Sequence, residues 1–288
     1  MKPAPFRYLA PETIEEALAL KAEHGDEARF LAGGQSLVPA MNFRLAQPAV
    51  LIDLNAIKAL DFIESDGAGA RIGALTRNAT IEHDPMIETD QPLVHEAMPH
   101  VAHSQIRNRG TLGGNLANAD PASEMPAVML ALGARIEVRA KHAGRTLDAN
   151  DFFVGIYTTA LASDEMLVTV VLPALAPRTG TCFLEVARRK GDFAMMGVAA
   201  RVTLDADGRC IDAAWAYCNA GSRPIRVDAA ARSLTGQHLS VAEIAAAARL
   251  AQAEIDPGGN VHASKAYQFH LAEVLTRRAL ATALARAR

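Results

Sequence analysis

The sequence is short of several things, and each shortage removes a class of protein. Its three cysteines, Cys182, Cys210 and Cys218, are odd in number and widely spaced. They make neither a C-x-x-C pair nor a disulfide framework. They also fall short of the four thiolates of an ordinary iron–sulfur cluster, so they read as small buried apolar side chains. The formal net charge is only −3, without the electrostatic footprint of a nucleic-acid binder and with no polybasic run for a membrane surface. The longest apolar stretch, Pro126 to Gly133, is far too short to cross a bilayer. Met1-Lys2-Pro3-Ala4-Pro5-Phe6 lacks the apolar core of a signal peptide, which makes the cytoplasm the expected compartment. The dinucleotide fingerprint G-x-G-x-x-G is missing, so the usual Rossmann arrangement is not supported. So is the nucleophile elbow G-x-S-x-G. His95, His100 and His103 are spaced by five and three with no H-E-x-x-H pattern, and no metal site is expected there.

What the chain does hold is ordinary globular composition and two glycine-rich stretches. It has 288 residues, half of them apolar and about a fifth charged, the size and balance of two packed domains. The first stretch is Ala32-Gly33-Gly34-Gln35-Ser36-Leu37. The second is Thr111-Leu112-Gly113-Gly114-Asn115, inside the run Arg107 to Pro121. Glycine lets backbone N–H groups approach an anion and accepts positive φ, and successive N–H groups form a nest for phosphate or diphosphate. Either loop alone reads equally well as a tight turn. Together they suggest one long, doubly charged ligand gripped from two sides. A diphosphate wants N–H and hydroxyl donors and would be repelled by Asp120. That acid is therefore expected at a sugar or ribityl hydroxyl, or as the N-cap of the next helix, and the two roles are compatible. A dinucleotide such as FAD or NAD fits.

Along the chain, Thr13 and Glu16 form a capping box opening a helix over 13–24, with Gly25 as its stop. Buried strands are expected at Ala28 to Ala32 and Val50 to Leu54. Ser36 is a candidate helix N-cap, the arrangement that presents amides to phosphate. Segments 62–64 and 70–74 flank a hairpin turn at Ser65 to Gly69. Short helices follow: Thr80 to Glu82, then Pro92 to Ala102, then Ala122 to Leu132 stopped by Gly133. Strands at 134–139, 145–147 and 166–172 come next. A boundary is expected between Pro173 and Gly180, where proline and small residues collect. Beyond it lie three strands, Cys182 to Ala187, Gly197 to Leu204 and Ile211 to Cys218, and then helices at about 228–234, 240–254 and 264–286. The last helix is expected to bury Tyr267, Leu271, Val274 and Leu275. No internal repeat or low-complexity segment is present.

These motifs resemble a known family. Ala32-Gly33-Gly34-Gln35-Ser36-Leu37-Val38-Pro39, Arg44-Leu45-Ala46-Gln47-Pro48, Ile106 to Asn115 and Asp120-Pro121 look like the FAD-binding medium subunit of the molybdenum hydroxylases, the group of carbon monoxide dehydrogenase and xanthine dehydrogenase. Arg189-Lys190-Gly191-Asp192-Phe193-Ala194 resembles the opening of that family's C-terminal domain. The resemblance implies an α+β fold. A vanillyl-alcohol-oxidase-like FAD-binding domain of residues 1–177 is expected, in subdomains of about 1–57 and 58–177. A smaller C-terminal domain of 178–288 follows, with a three-stranded antiparallel sheet and helices. It implies FAD held by Ala32, Gly33, Gly34, Gln35, Ser36 and Leu37 from one side and by Thr111, Gly113, Gly114 and Asn115 from the other. Asp120 takes the sugar or ribityl region, and Val101 and Leu167 are apolar walls. Phe193 stands near the isoalloxazine ring, where some relatives carry tyrosine, so the ring face is kept and the hydroxyl lost. Lys190 is implied either near the flavin or in a structural role. No catalytic acid, base or nucleophile is implied. The implied partners are a large subunit with the molybdenum cofactor and a small subunit with two 2Fe–2S clusters, as a dimer of heterotrimers in the cytoplasm or peripheral to the inner membrane. Two other readings stand beside it: a self-contained FAD oxidase or reductase, and a nucleotide-binding or assembly module without redox chemistry.

Overall fold

A three-stranded parallel sheet begins the chain. The computed structural model describes residues 1–65 and 67–287; Asp66, in the expected hairpin turn, and Arg288 lie outside the described residues. β1 (Arg7–Leu9), β2 (Ala28–Leu31) and β3 (Val50–Asp53) run in the order β1-β3-β2, with Val50 opposite both Arg7 and Ala28. Helix α1 (Ile14–His24) makes the crossover. Thr13 Oγ1 accepts from Glu16 N–H and Glu16 Oε2 accepts from Thr13 N–H, the reciprocal cap expected from the sequence. Buried Lys21 ties α1 to the sheet, its ammonium donating to the carbonyls of Gly25 (2.6 Å) and Ala28 (2.8 Å). Helix α2 (Leu37–Asn42) lies between β2 and β3.

The second layer is an antiparallel sheet. After β4 (Ile63–Ser65) and β5 (Gly69–Gly73) comes a run of short helices: α3 (Asn78–His83), α4 (Pro85–Asp90), α5 (Pro92–Ala97), α6 (Ser104–Arg107), α7 (Leu112–Asn118) and α8 (Glu124–Leu132). β6 (Arg135–Arg139) and β7 (Gly144–Asp148) follow, then α9 (Ala149–Phe152), a small hairpin of β8 (Phe153–Gly155) and β9 (Thr158–Thr159), and β10 (Met166–Pro173). The sheet order is β4-β5-β10-β6-β7. The single helix expected over Pro92 to Ala102 is in fact α5 and a 3₁₀ turn, Met98–His100. Pro99 has no N–H to continue the α pattern, and Ala102 follows at φ +49°. The helix expected from Ala122 starts at Glu124 with Ser123 at its N-cap position.

Four strands, not three, form the third sheet: β11 (Thr179–Ala187), β12 (Ala194–Leu204), β13 (Cys210–Cys218) and β14 (Ile225–Arg226), in sequence order. The added strand is two residues long, below what alternation in a sequence reveals. Helices α10 (Asp228–Arg232), α11 (Val241–Leu250) and α12 (Lys265–Arg286) back the sheet. Leu271 and Leu275 of α12 are buried as expected, but Tyr267 is 42% exposed. The face that packs mixes Leu271, Leu275, Leu280 and Leu284 with the small Ala272, Ala279 and Ala283, and near Ala283 α12 lies very close to β11. A Cβ on Gly180 would stand 2.0 Å from the Ala283 carbonyl oxygen. Inside this domain the buried Tyr217 hydroxyl takes a hydrogen bond from Trp215 Nε1 (3.0 Å) and shares one with Thr276 (2.6 Å). All three cysteines are buried and free. Burial pushes the Cys182 and Cys210 thiols up to about 11 and holds the Cys218 thiol well above its ordinary range.

Helix α8 joins the layers. Every residue from Glu124 to Leu132 is buried, packed on β10 to one side and on β12 and β13 to the other. One continuous apolar cluster therefore runs from Ile72, Ile136 and Val170 through Val128 and Leu130 to Phe183, Ala199 and Ala216. At its edge, Glu124 faces Glu185 of β11, whose side chain is 3% exposed. Among the described residues no N–H group or alcohol donates to Glu185 Oε2, and His100 Nδ1 stands 3.8 Å from its Oε1. Burial, then the neighbouring Glu185, hold the Glu124 carboxyl well above the usual carboxylate range. The folded state thus keeps a proton that the unfolded chain has released above about pH 4.3. Its stabilising effect is full below that pH and is lost as pH rises through the raised folded value. Chemical-denaturation midpoints measured from about pH 5 to about pH 9 should fall with pH, and Glu124→Gln should flatten that fall. An unchanged slope in the variant would remove Glu124 as its source.

Candidate functional site

Both glycine loops leave the ends of packed elements and meet face to face. The first follows β2. Gly34 sits at φ +72°, a conformation that costs a side-chain-bearing residue about 1 kcal/mol or more. The N–H groups of Gly33, Gly34, Gln35 and Ser36 donate to no acceptor among the described residues, while Gln35 Nε2 folds back to the Gly33 carbonyl at 2.9 Å. Ser36 occupies the N-cap position of α2, but its hydroxyl caps nothing and remains exposed. Ala32 and Leu37 flank the loop and are half-buried.

The second loop is built differently. Thr111 is buried and its Oγ1 accepts from Gly114 N–H at 3.1 Å, capping α7. Leu112 N–H goes to the Thr76 carbonyl and Gly113 N–H to that of Ala74. A Cβ on Gly113 would stand 2.6 Å from that of Ala74, so this glycine serves close packing on the end of β5. Asn115 and Ser123 exchange two side-chain hydrogen bonds, 2.8 and 3.0 Å. The loops touch where a side chain is forbidden. A Cβ on Gly33 would lie 2.4 Å from the Arg109 carbonyl oxygen and 2.7 Å from Gly110 Cα, and one on Gly114 would meet Thr111 Oγ1 at 2.7 Å and Ala32 Cβ at 3.4 Å. Beside this contact opens a cleft of about 280 Å³, lined by Leu31 to Gln35, Val38, Pro39, Asn42, Asp53, Asn55 and Arg109.

The other expected residues fall into two further groups. Asp120 Oδ1 accepts from Ala122 N–H (3.0 Å) and Oδ2 from the Tyr157 hydroxyl (3.1 Å). It shapes the turn before α8, whose N-cap position belongs to Ser123. Next to it, Asn219 N–H donates to the Pro121 carbonyl at 2.7 Å, so Asp120 stands where the second and third layers meet. Val101 is buried after the 3₁₀ turn, its carbonyl held by Arg107 Nη1 at 3.1 Å. Arg107 also grips the Ala102 carbonyl and forks onto Glu82 at 2.6 and 2.9 Å. Lys190 and Phe193 are exposed on the turn between β11 and β12, Phe193 by 70%. That turn leans on the residues following Val101: a Cβ on Gly191 would lie 2.3 Å from His103 Nδ1. Leu167 is buried on β10 at a shift in register. Sequence reasoning gave no role to Arg107, Arg109, Asn55, Arg77 or Tyr157. The two arginines lie within the motif already singled out; the other three carry no local signal. Burial, then Asp120, raises the Tyr157 hydroxyl above its ordinary range.

Compared with known families, residues 4–175 match the FAD binding domain in molybdopterin dehydrogenase, and residues 181–283 match the CO dehydrogenase flavoprotein C-terminal domain. The chain belongs to the FAD-binding medium subunits of the molybdenum hydroxylases. Among these medium subunits it is 40% identical over 288 residues to the 6-hydroxypseudooxynicotine dehydrogenase complex subunit alpha of Paenarthrobacter nicotinovorans, covering 100% of this chain and 97% of that one. It is 34% identical to the carbon monoxide dehydrogenase medium chain of Afipia carboxidovorans, covering 100% of both. The solved carbon monoxide dehydrogenase of Hydrogenophaga pseudoflava superposes with a TM-score of 0.97 at 35% identity, covering 99% of each chain. The fold is thus the α+β medium-subunit fold with its C-terminal flavoprotein domain.

The first loop suits a dinucleotide diphosphate. Four successive N–H groups without acceptors offer donors, and the absent Cβ atoms leave room for close approach. Gly33→Ala should drive the two loops apart, because the new methyl meets backbone rather than a yielding side chain. Flavin absorbance per chain after gel filtration should fall to a small fraction of the wild-type value. Full retention would show that the contact can widen without harm.

Proposed function

We propose that this chain is the electron-transfer flavoprotein subunit of a molybdenum-containing hydroxylase. The observation that carries the reading is the run of free amides from Gly33 to Ser36 at a cleft closed by Arg109 and Gly110. FAD would rest its diphosphate there, with Ala32 and Leu37 beside it. Thr111, Gly113, Gly114 and Asn115 form the second jaw and shape it through the α7 cap and close packing. Asp120, already turned toward Tyr157, takes sugar or ribityl hydroxyls. Val101, Leu167, Lys190 and Phe193 belong to the isoalloxazine end, with the turn at Gly191 brought against His103. When bound, FAD supplies a carrier that takes electrons singly and releases them in pairs, which links the 2Fe–2S clusters of a small subunit to an external acceptor. The chain's own part is to bind, orient and wall off the cofactor. The domains are read as 1–177, in subdomains of about 1–57 and 58–177, and 178–288.

Substrate oxidation belongs to the large molybdenum subunit, and the assembly is a dimer of heterotrimers in the cytoplasm. No helix among the described residues is long and apolar enough to cross a membrane. Support comes from relatives named as a subunit of a dehydrogenase complex, a medium subunit of a nicotine hydroxylase and a medium chain of carbon monoxide dehydrogenase. Co-purification from the native source should bring molybdenum, iron and two further chains with a yellow flavin spectrum. Full turnover of an organic substrate by this chain alone would instead establish a self-contained oxidase.

The site assignment has its own test. In Gly114→Val, the added atoms press on Thr111 Oγ1 and Ala32 and should abolish FAD uptake. Trp215, the only tryptophan, is buried in the C-terminal core, and its fluorescence should be unchanged. Stoichiometric FAD in that variant would count against the second jaw.

A further inference from the structure

A relay of side chains spans the gap between the two glycine loops. Tyr8 donates its hydroxyl to Asp53 Oδ2 at 2.5 Å. Asp53 Oδ1 accepts from the backbone N–H of Asn55 (2.9 Å) and from its side-chain amide (2.5 Å). The same Asn55 Nδ2 donates to the Ala32 carbonyl at 2.9 Å, one peptide before Gly33. Asn55 Oδ1 accepts from Arg77 Nη2 at 2.5 Å, and Arg77 Nη1 donates to the Arg109 carbonyl. That is the oxygen standing where a Gly33 side chain would be. Both groups of the Asn55 amide are engaged, and its donor and acceptor ends are fixed by their partners.

The relay joins elements that nothing in the sequence brings together. Asn55 follows β3 of the first sheet. Arg77 follows β5 of the second, its backbone bridged to Thr111 and its neighbour Asn78 donating N–H to the Gly110 carbonyl at 2.9 Å. Arg77 is half-buried, and burial first, then the like-charged Arg109, lowers its pKa. The Arg109 side chain has no hydrogen bond or ion pair among the described residues and lines the cleft. The like charge of Arg109 disfavours the Arg77 cation, and the carboxylates of Asp61 and Asp53 partly offset it.

We propose that Arg77 and Asn55 are positioning residues for FAD, a clasp that fixes the width between the free amides of Gly33 to Ser36 and the backbone at Arg109 and Gly110. The proposal rests on the flavin reading given above. Neither residue touches reacting atoms. Their effect is to hold in advance the spacing a diphosphate needs, so that less ordering remains for binding to supply. Because the two act through one relay, removing either breaks the whole.

The test titrates the flavin-stripped, full-length chain with FAD and, separately, with riboflavin, which has no diphosphate. Arg77→Met keeps the apolar stem and Asn55→Ala opens the relay at its other end. Each should raise the Kd for FAD roughly ten- to hundredfold, the scale of a hydrogen bond to a charged group. The double variant should be no worse than the weaker-binding single one, and riboflavin binding should move by less than about threefold. Arg77→Lys, which keeps the charge but cannot fork, should weaken FAD binding by more than about twofold but by less than Arg77→Met does; it also serves if Arg77→Met does not fold. FAD affinity within about twofold of wild type in Arg77→Met or Arg77→Lys would overturn the clasp. So would losses that add in the double variant, or that fall equally on riboflavin, since a merely structural role predicts both. A wild-type chain that takes up no FAD would overturn the flavin reading, and the clasp with it.

Discussion

Two backbones meet where neither can carry a side chain, and the site depends on that contact. Gly33 faces the Arg109 carbonyl and Gly110 at distances a Cβ could not share. The parallel sheet exists, in functional terms, to deliver one of these backbones. β2 and β3 end side by side at Leu31 and Asp53, and the loop that follows leaves its amides free. The antiparallel sheet delivers the other, because the end of β5 takes Gly113 against Ala74 and sets the start of α7. Interior packing leaves little slack for either to shift. The proposed diphosphate site thus depends on two sheets and belongs to neither loop alone.

Much of this was legible in the residues. The Thr13–Glu16 cap, the strand before Gly33 and three of the four strands of the third sheet follow from local rules of capping and alternation. The pairing of the two glycine stretches, and their resemblance to a flavin-binding family, gave the family and the cofactor. Other features depend on tertiary context. Gly34 and Gly113 are the same letter, yet one supplies a positive φ and the other an absent methyl. Tyr267 sits at the right helical spacing to be buried, but at that turn of α12 the inward position belongs to Gln268, whose amide donates to the Met195 and Asn219 carbonyls. The Asn55–Arg77 bond joins residues 22 apart that follow strands of different sheets. No pattern within one element encodes it. The break at Pro99 was readable from the missing N–H and shows how a long apolar stretch can mask a stop.

Buried polarity follows the same division of labour. Arg107, Lys21 and Thr111 each satisfy backbone carbonyls or amides and thereby fix a turn. Glu124 and Glu185 instead face each other as two buried acids, and no N–H group or alcohol among the described residues donates to Glu185 Oε2. Groups of the first kind hold shape. The second kind stores a proton at the seam between layers.

Helix α8 has no wet face. A surface helix can drift in sequence along its solvent side, because substitutions there change stability little. This one answers on every side to a neighbour, to β10 in the flavin-binding part and to β12 and β13 in the C-terminal part. A change of volume in either sheet must be matched on the helix, and then across it in the other sheet. The two parts are therefore inherited as a pair: recombination that swapped the C-terminal part for that of a distant relative would have to bring the helix with it.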